Sequence, residues 1–465
     1  MMSIFLPIGE EVLREIRDAL GSEAVIAEPE RIAPFAKDET VGLARMPELV
    51  VEPTEVAQIQ ALLRLANQHR FPVTPRGLGT GLAGGAVPFC GGVVLSMARM
   101  NRILLIDGRN LFAEVEPGAR TADLRQAARE KGLFYPPDPA SIDKCSVGGN
   151  VSTNAGGPAC VKYGTTRDYV MGLDVVLPTG ELISAGVRTR KGVVGYDLAR
   201  LIVGSEGTLG VITKLVLKLL AAPASVATIA AVFDTLPAAL QAVTALLTSG
   251  HVPSAVEFLD RRCLSLTGDL LPFPGMQGAG AFLLVETDGD AEAVAGEGRA
   301  VARICREGGA RDVLNAPEGD VRERIWEVRR EISKRIEERH ASLDIHEDIA
   351  VPIGRIAEFA DGLPALEERY GMMIYTFGHA GDGNLHLNIT AGEAPAPERI
   401  EEGIHAVLDR VLALGGTISG EHGIGLLKKP YIGMELSPAS LRLQRGIKRI
   451  FDPRGVLNPG KIFPD

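Results

Sequence analysis

Residues 75–85 read Pro75-Arg76-Gly77-Leu78-Gly79-Thr80-Gly81-Leu82-Ala83-Gly84-Gly85, with five glycines in the nine positions from 77 on. A strand-like run, FPVTP, precedes them. Without side chains in the way, successive backbone N–H groups can converge on an anion. Taken alone, this loop reads equally well as an ordinary glycine-rich turn. A second block, PPDPASIDKCSVGGNVSTNAGG at 136–157, offers small residues (Ser146, Gly148, Gly149, Asn150, Ser152, Thr153, Asn154, Gly156) suited to a narrow channel. A third, LIVGSEGTLGVIT, spans 201–213. A globular core needs no such trio, whereas an extended polyphosphate-containing cofactor would use all three. No GxGxxG opens a helix after a strand and no GxxxxGK[ST] is present, so nicotinamide and P-loop readings lose support.

Composition sets the frame. A chain of 465 residues suggests about three folding units, or two large ones. Hydrophobic residues make up 46% and charged residues 23%, ordinary globular values that allow a sizeable core. The 54 glycines are about 12% of the chain, against a usual ~7%. The net charge of -10, from 49 basic and 59 acidic residues, argues against nucleic acid as a partner. It leaves room for a local basic pocket and a small anionic substrate. Cys90, Cys145, Cys160, Cys263 and Cys305 form no CxxC pair, which argues against disulfide frameworks, iron–sulfur clusters and thiolate zinc sites in this chain. A reducing, cytoplasmic setting is expected. Residues 1–20 read as a short amphipathic helix, not a signal peptide. No apolar run reaches the ~18 residues of a membrane span.

Four segments are expected: a helical lead-in at 1–45, a domain of short β-runs at 46–221, a domain of alternating strands and longer helices at 222–415, and a turn-rich tail at 416–465. The chemistry-bearing histidines lie late. Of eight, only His69 precedes residue 250. In Gly378-His379-Ala380-Gly381-Asp382-Gly383-Asn384-Leu385-His386, the glycines permit a turn that aims both histidines at one point. Ser419-Gly420-Glu421-His422-Gly423 can add a carboxylate. Two imidazoles and a carboxylate with an open position are a common catalytic metal set. His422, next to Glu421, suits proton abstraction from a hydroxyl, made easier by a metal on that hydroxyl. His405, on the exposed side of a helix, and His340 read as ordinary surface or satisfied core histidines.

PRGxGT, GGNxxTNAGG and GSEGTLG[VI]IT in this order resemble the FAD-binding domain of the vanillyl-alcohol-oxidase type. KGVVGYDL at 191–198 resembles that group's K-x-x-T-G-Y-D-L element, with Val194 in place of threonine. GHxGDGNLH, SGEHGIG and FDPxGxxNPGK resemble the FAD-linked D-2-hydroxy-acid dehydrogenases: D-lactate dehydrogenases, D-2-hydroxyglutarate dehydrogenases and the flavin subunit of glycolate oxidase. The likeness covers roughly residues 40–465. It implies an α+β fold: a two-subdomain FAD-binding domain plus an α+β cap with a largely antiparallel sheet. It implies FAD contacts from Pro75, Arg76, Gly77, Leu78, Gly79, Thr80, Gly81 and Leu82. Pro137, Asp138, Ser146, Gly149, Asn150, Thr153, Asn154, Gly156, Tyr163 and Gly164 would follow, then Glu206, Gly207, Gly210, Ile212 and Asn458. Residues 75–85 hold no histidine, so the FAD is expected to be noncovalent.

The same resemblance implies zinc or manganese on His379, His386 and Glu421, His422 as catalytic base, and Asn388 at the substrate. IWEVRREISKRI at 325–336 resembles the family's W-x-L-R-E helix. Arg329 aligns with the arginine that pairs with the substrate carboxylate, and Ser333 lies one turn on. His346 stands where relatives often carry a substrate-binding lysine. The implied reaction takes a D-2-hydroxy acid to the 2-oxo acid with hydride transfer to flavin N5. Electrons would leave to an external acceptor: electron-transfer flavoprotein, an iron–sulfur subunit or a quinone. A homodimer, and attachment to the inner face of the membrane through a partner, also fit the resemblance. Two alternatives stay open: a flavoenzyme of the same fold with alcohol-oxidase or ether-lipid-synthase chemistry, and a flavin subunit that only relays electrons.

Overall fold

The structure, a computed structural model, describes residues 5–270, 276–317, 319–340, 344–391 and 397–464. It comprises two compact units. The first contains Met1–Ala155, Thr165–Ala222 and His422–Asp465, and the second Gly156–Gly164 and Pro223–Glu421. The chain therefore crosses from one to the other after Ala155, Gly164, Ala222 and Glu421.

In the first unit, β1 (Val25–Ile26), β2 (Leu49–Val51), β3 (Val73–Arg76) and β4 (Val93–Ser96) form a sheet ordered β1-β2-β4-β3. β2 and β3 run parallel to β4. The helix Val56–His69 joins β2 to β3 and buries Ile59, Leu62, Leu63 and Ala66, the spacing of one apolar helix face. Glu55 and Gln58 cap it reciprocally, satisfying N–H groups that the first turn leaves unpaired. Loop 77–85 thus leaves the carboxyl end of a parallel strand, where open α/β sheets take their ligands.

A second, antiparallel sheet in this unit has the order β5-β6-β10-β8-β9. Its strands are β5 (Ile103–Asp107), β6 (Phe112–Val115), β8 (Val170–Val176), β9 (Leu182–Gly186) and β10 (Val211–Lys218). β7 (Leu133–Phe134) pairs with β11 (Leu220–Ala221). The tail lies along β3, with a parallel bridge between Val73 and Leu457 and the Asn458 N–H donating to the Val73 carbonyl at 2.7 Å.

The second unit is built on a seven-stranded sheet ordered β15-β12-β14-β13-β17-β18-β16, antiparallel at every pairing. Its strands are β12 (Ser225–Phe233), β13 (Ala255–Asp260), β14 (Ala281–Gly289), β15 (Asp312–Pro317), β16 (Asp344–Ala350), β17 (Met372–His379) and β18 (Asn384–Ala391). The helix Asp320–Arg339 buries Ile325, Val328, Ile332 and Ile336 among Leu259, Phe282, Leu284, Tyr375 and Phe377. Each such side chain contributes about 1.5–3 kcal/mol of burial. Asp320 and Glu323 in the first turn and Arg339 in the last complement the helix dipole.

Register places the chemistry. β17 and β18 form the expected hairpin, with His379 opposite Asn384, Phe377 opposite His386 and Tyr375 opposite Asn388. β16 sets Asp348 beside His386 and His346 beside Asn388. β13 sets Glu257 beside His379. Side chains alternate along a strand, so Glu257, His379, His386, Asp348, Asn388 and His346 share one face. No helix among the described residues is long and apolar enough to cross a membrane.

Candidate functional site

The three glycine-bearing blocks meet inside the first unit. Ser146 caps the helix Val147–Thr153, its Oγ accepting from the Gly149 N–H at 3.2 Å. A Cβ on Gly77 would lie 2.2 Å from that Oγ, so the first loop reaches the second block only because residue 77 has no side chain. The Gly204 N–H donates to the Val151 carbonyl at 3.0 Å and the Glu206 N–H to the Ser152 carbonyl at 2.7 Å. The tail closes the set: Asn458 Nδ2 donates to the carbonyls of Gly85 at 3.1 Å and Glu206 at 2.8 Å.

Two buried polar atoms in this neighbourhood, Asn458 Oδ1 and Arg167 Nε, find no hydrogen-bond partner among the described residues. Arg167 lies between the second and third blocks, its N–H donating to Asn154 Oδ1 and its Nη2 to the Val203 carbonyl. Unsatisfied buried polar atoms call for a ligand or water. A cradle of bare backbone with such atoms beside it fits a phosphate-bearing cofactor.

Several residues expected at the cofactor also hold the protein together. Arg76 donates to the Lys37 carbonyl and lies over Phe35. Asn150 donates to Thr121 Oγ1. Asn154 accepts from Thr165 Oγ1, and Thr153 Oγ1 donates to the Gly149 carbonyl. Arg125 donates to the Pro137 carbonyl and is charge-coupled to Asp138. Ile212 is buried, and a Cβ on Gly210 would clash with Val175 at 2.3 Å. Leu78, Gly79, Thr80, Gly81 and Leu82 are half-buried on the loop itself, and Gly207 packs near Pro75. Glu206 is buried, and its carboxylate accepts from the N–H groups of Ile424 at 2.8 Å and Gly425 at 2.7 Å. It therefore holds the turn that begins at His422. Burial pushes the Glu206 carboxyl up, against those two bonds and nearby Lys461.

In the second unit the expected metal ligands converge. His379 Nε2 and His386 Nε2 are 3.4 Å apart, and Glu421 Oε1 lies 3.5 Å from the first and 3.6 Å from the second. Bonds of about 2.1 Å at tetrahedral angles would set ligand atoms about 3.4 Å apart. The triangle therefore fits one face of a divalent-metal site, and the nitrogen and oxygen donors suit zinc or manganese. Each imidazole has an anion behind it: His379 Nδ1 is 2.5 Å from Glu257 Oε1, and His386 Nδ1 is 3.7 Å from Asp348 Oδ1. Burial lowers the His379 pKa, but Glu257 and Glu421 more than offset this and hold it well above the usual histidine range. Burial likewise works against ionised Glu257, yet His379 and Arg329 keep it below its ordinary value.

Asp348 also offers a ligand atom within 4.8 Å of His386 and Glu421. Its oxygens are already engaged, accepting from the N–H groups of Gly420 and Glu421 and from Asn384 Nδ2. It reads as the residue that presents Glu421.

Arg329 reaches the same face. Its Nε donates to Glu257 Oε2 at 2.6 Å, and its guanidinium lies 4.9 Å over the Phe377 ring. Neither Nη group makes a hydrogen bond among the described residues. Ser333 is half-buried one turn along. Asn388 is buried beside His346 and Tyr375, and the Tyr375 hydroxyl lies 2.7 Å from His340 Nε2.

Gly156, Tyr163 and Gly164 belong to the second unit. The Tyr163 hydroxyl donates to Asp288, and a Cβ on Gly156 would meet Glu421 Oε2 at 2.5 Å. Sequence reasoning missed Glu257, Asp348 and Arg167. The one available signal for Glu257 is an acid in the apolar run Ala255-Val256-Glu257-Phe258-Leu259.

A family profile described as FAD binding domain matches residues 47–186, and one described as FAD linked oxidases, C-terminal domain, matches 222–462. The chain is 40% identical over 431 residues to glycolate oxidase subunit GlcD of Bacillus subtilis, covering 92% of each chain. It is 40% identical over 441 residues to D-lactate dehydrogenase of Anaerostipes hadrus, again covering 92% of each. It is 33% identical over 465 residues to D-2-hydroxyglutarate dehydrogenase of Stutzerimonas stutzeri, covering 97% and 98%. Among solved structures, p-cresol methylhydroxylase with substrate bound superposes with a TM-score of 0.81 at 19% identity, over 98% of this chain and 96% of the other. That likeness concerns the fold, which is the expected vanillyl-alcohol-oxidase type with largely antiparallel sheets.

Proposed function

This chain belongs to the FAD-linked oxidoreductases of the D-lactate, glycolate and D-2-hydroxyglutarate type, and on that premise we propose that it is a metal-assisted dehydrogenase of a D-2-hydroxy acid. The observation that carries the metal is the triangle of His379 Nε2, His386 Nε2 and Glu421 Oε1, with edges of 3.4, 3.5 and 3.6 Å. When bound, FAD supplies a two-electron acceptor, and zinc or manganese supplies Lewis acidity toward the hydroxyl.

The chain's own residues do the rest. The free Nη groups of Arg329 hold the substrate carboxylate bidentately. Ser333, Asn388 and His346 would contact the rest of the substrate. His379, His386 and Glu421 would hold the metal. His422, the residue after Glu421, accepts the hydroxyl proton as the C2 hydrogen leaves with its electron pair. Fixing carboxylate and hydroxyl together leaves C2 little freedom, the usual entropic contribution of a positioned substrate. Asn458 Oδ1 and Arg167 Nε, both without a partner among the described residues, would contact the cofactor. With no histidine in loop 75–85, FAD is held noncovalently, and acid precipitation should leave it in the supernatant. Electrons pass to an external acceptor (electron-transfer flavoprotein, an iron–sulfur subunit or a quinone), a reading supported by relatives that are named as subunits.

Anaerobic mixing with D- and L-2-hydroxy acids tests this function. Bleaching of the flavin by D-lactate, glycolate or D-2-hydroxyglutarate, with no response to the L-forms, is expected. A flavin that none of them bleaches would favour the electron relay. An alcohol-oxidase or ether-lipid-synthase chemistry would leave the three-ligand triangle without a task.

A further inference from the structure

We propose that Glu257 is a positioning residue shared by the two halves of this site: one buried carboxylate that fixes both the metal-facing imidazole of His379 and the carboxylate-facing guanidinium of Arg329. The inference rests on the metal reading above. Each oxygen has its own partner, Oε1 with His379 Nδ1 at 2.5 Å and Oε2 with Arg329 Nε at 2.6 Å. The side chain is fully buried, at 0% exposure.

Stability alone is a poor reason for this arrangement. Burying ions costs several kcal/mol each, and well-packed apolar residues commonly replace such groups without loss. The flanking Val256, Phe258 and Leu259 are themselves fully buried apolar residues, so the strand needs no charge to pack.

Geometry supplies the reason. An acceptor at Nδ1 keeps a proton there, so that a metal would displace only the proton on Nε2, the nitrogen that faces His386 and Glu421. Outer partners of this kind orient a ligand and raise its basicity. Engaging Arg329 at Nε, not at Nη, keeps the two parallel Nη groups for an end-on carboxylate. The same anion thus sets the distance and angle between the place for the metal and the place for the carboxylate. A 2-hydroxy acid needs both at once.

The test uses full-length, FAD-loaded protein and the variant Glu257→Gln, which keeps the shape but loses the charge and one acceptor oxygen. Zn²⁺ affinity is measured by competition with a chelator. The affinity of the Zn²⁺-loaded protein for oxalate, a chelating dicarboxylate, is measured by calorimetry. We expect Zn²⁺ binding to weaken on the order of 10–100-fold and oxalate binding to weaken with it, while FAD content and the melting transition are retained. Unchanged Zn²⁺ affinity in a folded variant overturns the proposal, and a lowered melting temperature alone would mark Glu257 as merely structural.

His386→Ala separates this failure from failure of the metal reading. If that variant binds Zn²⁺ as tightly as the parent, the metal site and this proposal fall together. If it loses Zn²⁺ while Glu257→Gln keeps it, only the role of Glu257 falls. Should Glu257→Gln lose its FAD or its fold, Glu257→Asp replaces it, retaining the charge but withdrawing the carboxylate by one methylene. A Zn²⁺ affinity equal to the parent's in that variant overturns the proposal.

Discussion

Loop 77–85 in the first unit and the β17–β18 hairpin in the second are both rich in glycine, and glycine does different work in each. At Gly77 it removes a side chain, because a Cβ would sit 2.2 Å from Ser146 Oγ. The gain is backbone brought against backbone, so that unit offers a ligand amides and a few orphaned polar atoms. At Gly383, with φ +86° and the Val351 carbonyl 2.1 Å from where a Cβ would be, it turns the chain so that two imidazoles share one face. The gain there is side chains in register, and the unit offers a ligand charge. One region is sensitive to volume, the other to protonation and ligand identity. Substitutions in the two should therefore fail in different ways.

The sharpest separation comes from His422. Replacing it with Ala should slow flavin reduction by the hydroxy acid on the order of 10²–10⁴-fold while FAD and metal stay bound; stopped-flow bleaching at parental speed would refute its role as base. Next comes removal of the metal. Dialysis against a chelator should abolish reduction and leave the FAD spectrum intact, and Zn²⁺ or Mn²⁺ should restore it; turnover unchanged after chelation would show that the triangle holds no catalytic ion. Gly77→Ala should have the converse signature. Its Cβ must displace Ser146 Oγ, so FAD should dissociate at least ~10-fold more readily, a cost of about 1.4 kcal/mol or more, with Zn²⁺ affinity unchanged. Equal loss of both ligands would erase the contrast between the two regions.

An effect on stability alone concerns the buried Lys461. Burial pulls its ammonium down from 10.5 to about 8, against the pull of nearby Asp38 and Glu206. Between those values the unfolded chain binds more protons than the folded one, so this group makes stability rise with pH. The contribution is complete above the unfolded value and is lost as pH falls toward 8, by at most about 1.4 kcal/mol per pH unit. Urea midpoints of the parent and Lys461→Met should diverge in the parent's favour from pH 8 to pH 10. Parallel curves would show a lysine that stays charged.

The sequence was readable where function is written in consecutive residues. Both histidines of GHAGDGNLH follow from local chain geometry: the turn pairs His379 with Asn384, so His386, two residues on, falls on the same face. The three glycine-bearing blocks announce themselves one at a time. What was hidden are the contacts that join them. Glu257 meets His379 across 122 residues, and Asn458 meets Gly85 across 373. A lone acid in a strand or a lone asparagine in a tail carries no period and no motif. Its meaning appears only when sheet register supplies its neighbour. For the same reason the family resemblance offers Arg329 as a carboxylate binder, but nothing in its own helix tells that it holds Glu257.

The tail's return to β3 has a consequence in time. The residues that begin the first unit's cradle leave the ribosome early, yet Asn458, which donates to the Gly85 and Glu206 carbonyls, is made about 380 residues after Gly77. At roughly 5–20 residues per second, the nascent chain spends about 20–80 s with its glycine-rich loop synthesised and its last fastener missing. Synthesis order therefore makes closure of the first unit a late event, completed when the whole second unit has already been translated.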